Sequence, residues 1–268
     1  MTEIKKSNER LERKQITDAL TSIESDIDAI ESAIAGAVVG APNQQVYESG
    51  SGNWTFPSGM VGDFVLVTIV GGGASGGVDS TSSRGGGGGG GGEVLWRVPV
   101  FVNNLDNASI AYVCGPGGAA VSAGAGNNGG SSVFAHLAAE GGDAGETDQG
   151  GAGAGTTGGA ASGTNHDGYD GGVEVVVPNQ IQYGGASGGS GDLSGYDGGD
   201  TIFALGGNQH SSEVNGGGGA SLGKGGQQGP ATTDKAPERG AGGAGGVNGG
   251  ADSQAGADGV IIIEYWTA

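Results

Sequence analysis

Apolar residues along this chain fall into a helical stretch near its start and several compact runs further on. Ile16, Leu20, Ile23, Ile27, Ile30 and Ile34 are spaced 4, 3, 4, 3, 4 with polar residues between most of them. That spacing predicts a helix with a heptad seam, Ile16, Ile23 and Ile30 at d and Leu20, Ile27 and Ile34 at a. Isoleucine at both core positions favours trimers and higher states over dimers. Upstream the register fails at Arg13 and Glu9, so the seam is under three heptads. The expected element is a trimerising, attaching coiled coil over residues 1–36; a single amphipathic helix docked on a globular neighbour is the alternative. Gly36, Gly40 and Pro42 end it, and residues 37–44 read as a linker.

From there the period changes. Short strands are expected at 45–48 and 54–57. Residues 63–70 are apolar on both faces, as in a strand buried on both sides. Further strands are expected at 93–102, 108–114 and 131–139, and a last one at 259–266. The strong early strand and the final one bracket the middle of the chain. If the final strand pairs back into a sheet, it ties down both ends of an otherwise loose region.

That middle is dominated by glycine. Of 66 glycines in 268 residues, 60 lie from Gly71 to Gly259, and eight are consecutive at 85–92. The strict three-residue period and proline content of collagen are missing. Disorder is the other reading of such a composition, because Leu, Ile, Val and Phe are few and the net charge is −19. The clustering of apolar residues at both ends of the tract argues against it. Glycine pays the largest entropy on ordering, so an ordered run needs a packing reason. Polyglycine II threads supply one: without Cβ atoms they lie side by side and bond backbone to backbone. The expected fold class is therefore mainly β and polyglycine II, with an N-terminal trimeric coiled-coil helix and β-strands bracketing a glycine-rich bundle. Residues 45–140 form the β-rich start and residues 141–268 the glycine-rich remainder closed by a strand. End loops are expected at 164–169, 173–183 and 203–214.

Charge narrows the partners. Residues 1–35 hold eight acids and five bases, and the remainder holds 21 acids and five bases. Such a surface repels nucleic acid and anionic membranes. No apolar run reaches the length of a membrane span, and no apolar secretory signal core is present. The lone Cys114 cannot form a disulfide within one chain.

Three pieces carry a resemblance: Gly52-Asn53-Trp54-Thr55-Phe56-Pro57; the run Phe64-Val65-Leu66-Val67-Thr68-Ile69-Val70-Gly71-Gly72-Gly73; and Glu93-Val94-Leu95-Trp96-Arg97-Val98-Pro99-Val100 after the eight glycines. Together with the closing Gly256-Ala257-Asp258-Gly259-Val260-Ile261-Ile262-Ile263-Glu264-Tyr265-Trp266, they resemble the glycine-rich domain at the ends of phage tail fibre proteins. The match covers about residues 44–268. The chain is also similar in style to the distal tip adhesins of T-even-like phages, whose glycine-rich domain is a polyglycine II sandwich with receptor-binding loops. The resemblance implies a virion protein of the phage tail, extracellular when mature. It implies a homotrimer that contacts other tail or baseplate proteins through its N-terminal helix and a receptor on the bacterial surface. Carried onto this chain, the receptor-binding loops would hold His166, Asp167, Tyr169, Asp170, Tyr183, Tyr196 and His210. Aromatic rings stack on sugar faces while carboxylates and amides fix hydroxyls. The competing reading makes Tyr and His plugs for loop ends.

Catalytic chemistry is hard to find. Gly153-Ala154-Gly155-Thr156-Thr157-Gly158 matches a dinucleotide fingerprint but lacks the flanking strand and helix. Residues 218–224 begin like a phosphate-binding loop, with Gly225 where Ser or Thr would hold magnesium. Three histidines and one cysteine cannot make a Cys/His zinc site in one chain. Asp-Gly pairs such as Asp167-Gly168 are explained by turn chemistry. No enzyme activity, cofactor, metal, nucleic acid or membrane insertion is expected. A capsid decoration or head fibre protein is the alternative function, and an ice-binding protein a lesser one.

Overall fold

The computed structural model describes residues 41–79, 85–102, 109–155, 158–163, 166–177, 180–191, 195–208, 215–227, 235–247 and 252–267. Its strands are β1 (Asn43–Tyr47), β2 (Ser51–Thr55), β3 (Met60–Val70), β4 (Val78–Asp79), β5 (Val94–Phe101) and β6 (Ser109–Val113), then β7 (Ser132–Phe134), β8 (Leu137–Ala139), β9 (Val173–Val177), β10 (Gln180–Tyr183), β11 (Gly246–Val247) and β12 (Ile261–Thr267). A six-stranded antiparallel sheet has the order β1-β12-β3-β5-β10-β9, and a four-stranded antiparallel sheet has the order β2-β6-β7-β8. Strands β4 and β11 form a short parallel pair.

The β-branched runs dictate the large sheet. Ile261 and Ile263 of β12 sit opposite Ile69 and Val67 of β3, so one face of the sheet is almost continuous Val and Ile. Val65, Val67, Ile69, Val98, Val100, Ile261 and Ile263 pack there against Trp54, Ile110, Phe134 and Leu137 of the small sheet. Each fully buried Val or Ile contributes about 1.5–3 kcal/mol. Trp54 is fully buried, with the Phe56, Phe134 and Tyr265 rings 5.1, 6.0 and 6.5 Å away.

The glycine segments attach to the ends of these strands and bond with a three-residue repeat. Segment 86–93 is their centre. The N–H groups of Gly86, Gly89 and Gly92 donate to the carbonyls of Gly246, Gly243 and Gly240. Those of Gly87, Gly90 and Glu93 donate to Glu146, Asp143 and Glu140, and those of Gly88 and Gly91 donate to Gly189 and Ala186, all at 2.8–3.0 Å. Its carbonyls accept from three further segments. Gly77, Ala74 and Gly71 donate to residues 87, 90 and 93; Gly151 and Ala154 donate to 88 and 91; Gly216 and Gly219 donate to 86 and 89. The Ser221 hydroxyl closes the row on Gly92 O at 2.7 Å. One extended thread is thus hydrogen-bonded to six neighbours. A buried backbone group without a partner costs about 1–3 kcal/mol, so the packing holds together only if these bonds are made in register.

The expected fold class needs correction. Among the described residues there is no helix; the body is all-β, with the two antiparallel sheets continuous with the glycine threads. An N-terminal trimeric coiled coil followed by strands that merely bracket a bundle does not describe it. The proposed seam of Ile16, Leu20, Ile23, Ile27, Ile30 and Ile34 lies outside the described residues. The interior of the tract also contributes to the sheet. Within residues 173–183, expected to be an end loop, β9 and β10 pair antiparallel, and β10 pairs with β5 through Ile181↔Trp96 and Tyr183↔Val94. The physical reason is the Val175-Val176-Val177 run, whose β-branched residues favour a pleated surface over a loop.

Candidate functional site

The outward rim of the glycine lattice brings together most of the residues singled out in the sequence. Segment 166–171 lies between two neighbours. Towards segment 187–190, the N–H of His166 donates to Ser190 Oγ at 3.0 Å and that of Tyr169 to Ser187 Oγ at 2.7 Å. Ser190 and Ser187 return N–H bonds to the His166 and Tyr169 carbonyls. Towards segment 197–200, Gly168 and Gly171 donate N–H bonds to the Asp197 and Asp200 carbonyls. The carboxylates run along the same seam. Asp167 Oδ1 accepts the Asp197 N–H at 3.1 Å, Asp170 Oδ1 accepts the Asp200 N–H at 2.9 Å, and Asp200 Oδ1 accepts the Gly206 N–H at 2.8 Å. The three-residue repeat sets this up: aspartates three apart on one thread meet backbone amides three apart on the next.

His166, Asp167 and Asp170 are exposed, Tyr169 is 48% exposed, and Tyr196 is half-buried on the adjoining thread. The Tyr196 backbone is fixed by bonds to Ser190 O and from the Gly217 N–H. These five residues therefore form one surface strip on a fixed backbone. Tyr183 does not join them. Its ring lies 4.7 Å from Phe203, edge to face, and Phe203 lies 5.2 Å from Trp96, in a cluster with Val70, Val94 and Val260. It packs on the large sheet's second apolar cluster instead. His210 lies outside the described residues. Ser187, Ser190, Asp197 and Asp200 are not among the receptor-binding residues expected from the sequence, yet they hold the strip in place. Their spacing of three, matching Asp167 and Asp170, was the available signal.

Two groups inside the body are tuned by burial. Cys114 is buried with its Sγ donating to Tyr47 O at 3.2 Å, and burial pushes its thiol upward, which suppresses the thiolate. Glu93 ends the central thread, 2% exposed, with Oε2 accepting the Glu140 N–H at 2.9 Å. Burial raises its pKa above the ordinary carboxylate range, against the lowering effect of that hydrogen bond. The folded chain then holds a proton that the unfolded chain has released. Stability from this group is fully present below the unfolded value, about 4.3, and is lost as pH rises through the folded value. Glu93→Gln keeps the acceptor and removes the charge. It is expected to melt at a higher temperature than the parent at neutral pH, with the difference vanishing near pH 4. Thermal scans of both proteins across that range check this.

Among the described residues, Glu238 borders two hollows elsewhere. One of about 530 Å³ includes Glu48, Arg239 and Asp258, and one of about 160 Å³ includes Lys224 and Lys235. Among the described residues no three His, Cys, Asp or Glu side chains gather as a metal-binding group.

Comparison with known families adds one match. The family model described as a glycine-rich domain matches residues 47–266, which takes in every strand from β2 to β11 and nearly all of β12. No curated protein matches the sequence.

Proposed function

Because this chain belongs to the glycine-rich domain family, we propose that it is a structural and receptor-binding protein of a bacteriophage tail, a tail fibre or fibre tip. Its partners in this reading are a bacterial surface receptor, a glycan or an outer-membrane protein, and other virion proteins. It works by binding rather than by catalysis. The observation that carries the reading is the strip of exposed His166, Asp167, Tyr169 and Asp170 with half-buried Tyr196 beside them, all on backbone locked into the lattice. A thread held by its neighbours lets go of little entropy when a ligand docks, and preorganisation of that kind raises affinity. Tyr and His offer amphipathic rings that stack on a saccharide or an aromatic side chain.

Homotrimeric assembly is part of the proposal. Phe64, Phe101 and Trp266 form an aromatic group on the large sheet, with ring separations of 6.2 Å and 5.9 Å, and Phe101 is 57% exposed. Burial between copies would remove that apolar surface from water.

The triple variant His166→Ala, Tyr169→Ala, Tyr196→Ala tests the binding strip. In these lattice bonds His166, Tyr169 and Tyr196 take part through their backbone N–H and C=O groups. The variant should keep its melting temperature and lose binding to host cells about tenfold or more, as the loss of a hot-spot cluster does. Undiminished binding of the purified variant to host cells would remove the strip from the receptor reading.

A further inference from the structure

The charge distribution points to a second binding site. Outside residues 1–40 the chain holds only five bases, Arg84, Arg97, Lys224, Lys235 and Arg239, against 21 acids. Arg97 is committed to Glu264 through a 2.8 Å bond. Lys224, Lys235 and Arg239 instead fall on two threads that run side by side in opposite directions. Gln227 and Lys235 exchange backbone bonds of 2.9 and 2.8 Å, and the Glu238 N–H donates to Lys224 O at 3.0 Å. The three-residue repeat therefore pairs Lys224 with Glu238 and Gln227 with Lys235.

A hollow of about 160 Å³ opens at this pairing. Lys224, Gln227, Lys235, Glu238 and Asn208 are the polar residues of its lining, and Gly206, Gly207 and Gly225 add no side-chain bulk to the wall. Leu205, 61% exposed, adds an apolar surface at the rim. The larger hollow of about 530 Å³ continues past Glu238 to Arg239, where Glu48 lies 3.8 Å from the guanidinium in an exposed and therefore weak pair.

From this arrangement we infer that the paired hollows around Glu238 bind an acidic saccharide, one that carries a carboxylate or phosphate on a polyhydroxylated ring. Two lysines line one small hollow on a chain of net charge −19. They supply charge-assisted donors for an anionic group. The Asn208 and Gln227 amides and the Glu238 carboxylate supply the mixed donors and acceptors that hydroxyls need. Leu205 offers contact for the apolar face of a ring. A long uniform polyanion such as nucleic acid is disfavoured by the acidic surroundings, so the fitting ligand carries its negative charge at isolated positions. The inference deepens the receptor reading by naming a ligand class, at residues separate from the His166 to Tyr196 strip.

Isothermal titration of the full chain with free saccharides tests it without cells. The probes are trigalacturonate for the carboxylate, glucose 6-phosphate for the phosphate, and maltotriose as the neutral counterpart. The expected result is binding of at least one anionic probe that weakens as salt is added, with none for maltotriose. Lys224→Gln combined with Lys235→Gln should weaken the binding about tenfold, and Lys224→Arg with Lys235→Arg should retain it. Which anionic probe binds identifies the group recognised. The inference is overturned if neither anion binds, if maltotriose binds as well as they do, or if the double glutamine variant binds undiminished. Adsorption to host cells and titration with free sugar can fail independently, so a failed ligand class is distinguishable from a failed receptor role.

Discussion

Gly91→Val is expected to leave no folded protein. Gly91 sits in the middle of the central thread, and a Cβ placed there would lie 2.0 Å from the Ala220 carbonyl oxygen, well inside contact distance. The obstacle is backbone, so no side-chain rotation relieves it. The threads must separate. Separation breaks the bonds that Gly91 makes, its N–H to Ala186 O and its carbonyl from the Ala154 N–H, both 2.9 Å. Each buried group left unpaired costs about 1–3 kcal/mol, and forcing methyl groups into packed space adds about 1–3 kcal/mol. The total rivals the whole stability of an ordinary domain, about 5–15 kcal/mol. Gly163→Ala is the control. Its Cβ would meet only His166 Cδ2, at an ordinary 3.7 Å, and the change should stay within about 1 kcal/mol. Soluble yield and thermal melting of the two variants check the contrast. Equal melting temperatures would mean that the threads are not packed as described.

The same geometry explains what the sequence could reveal. The runs ending at Val70 and at Trp266 read as strands because six β-branched or aromatic residues in seven positions have few other fates. Their pairing was a natural guess, since each flanks the glycine tract and neither can bury itself alone. The order of the glycine threads was not legible. A thread of glycines bonded with a period of three presents the same face after every shift of three residues, so the run at 85–92 carries no mark of which neighbour it meets or in what register. Register is set by scattered side chains that look unremarkable in sequence. Ser75 Oγ receives the Asn127 N–H, Ser162 Oγ receives the Gly150 N–H, and Glu93 receives the Glu140 N–H.

The candidate site shows the same division. His166, Asp167, Tyr169 and Asp170 are contiguous in the chain, so their appearance on one thread was readable. Their juxtaposition with Tyr196 depends on thread order and was not. Tyr183 stands apart from the strip because its ring packs on Phe203, itself against Trp96, both distant in sequence and so not readable from the Gln-Tyr-Gly-Gly context. In the sequence Lys224, Lys235 and Arg239 are only three of five scattered bases; the antiparallel bonding of two threads brings Lys224 and Lys235 to one hollow.

The largest remaining expectation concerns the glycine amides themselves. In an unfolded tether, the N–H groups of residues 86–92 would exchange at the rate of a free peptide. Here each donates to a carbonyl on another thread, and the whole segment is buried. Exchange then requires the lattice to open. For a body with the stability of an ordinary domain, opening costs at least about 5 kcal/mol and slows exchange by three orders of magnitude or more, since every 1.4 kcal/mol is tenfold. Amide hydrogen exchange followed by mass spectrometry on the intact chain reads this directly. Protection across residues 71–77, 86–93, 184–191 and 240–246 comparable to that of β3 and β12 is the predicted result. Unprotected exchange in those segments beside protected strands would contradict the idea that backbone bonds between side-chain-free threads build this body.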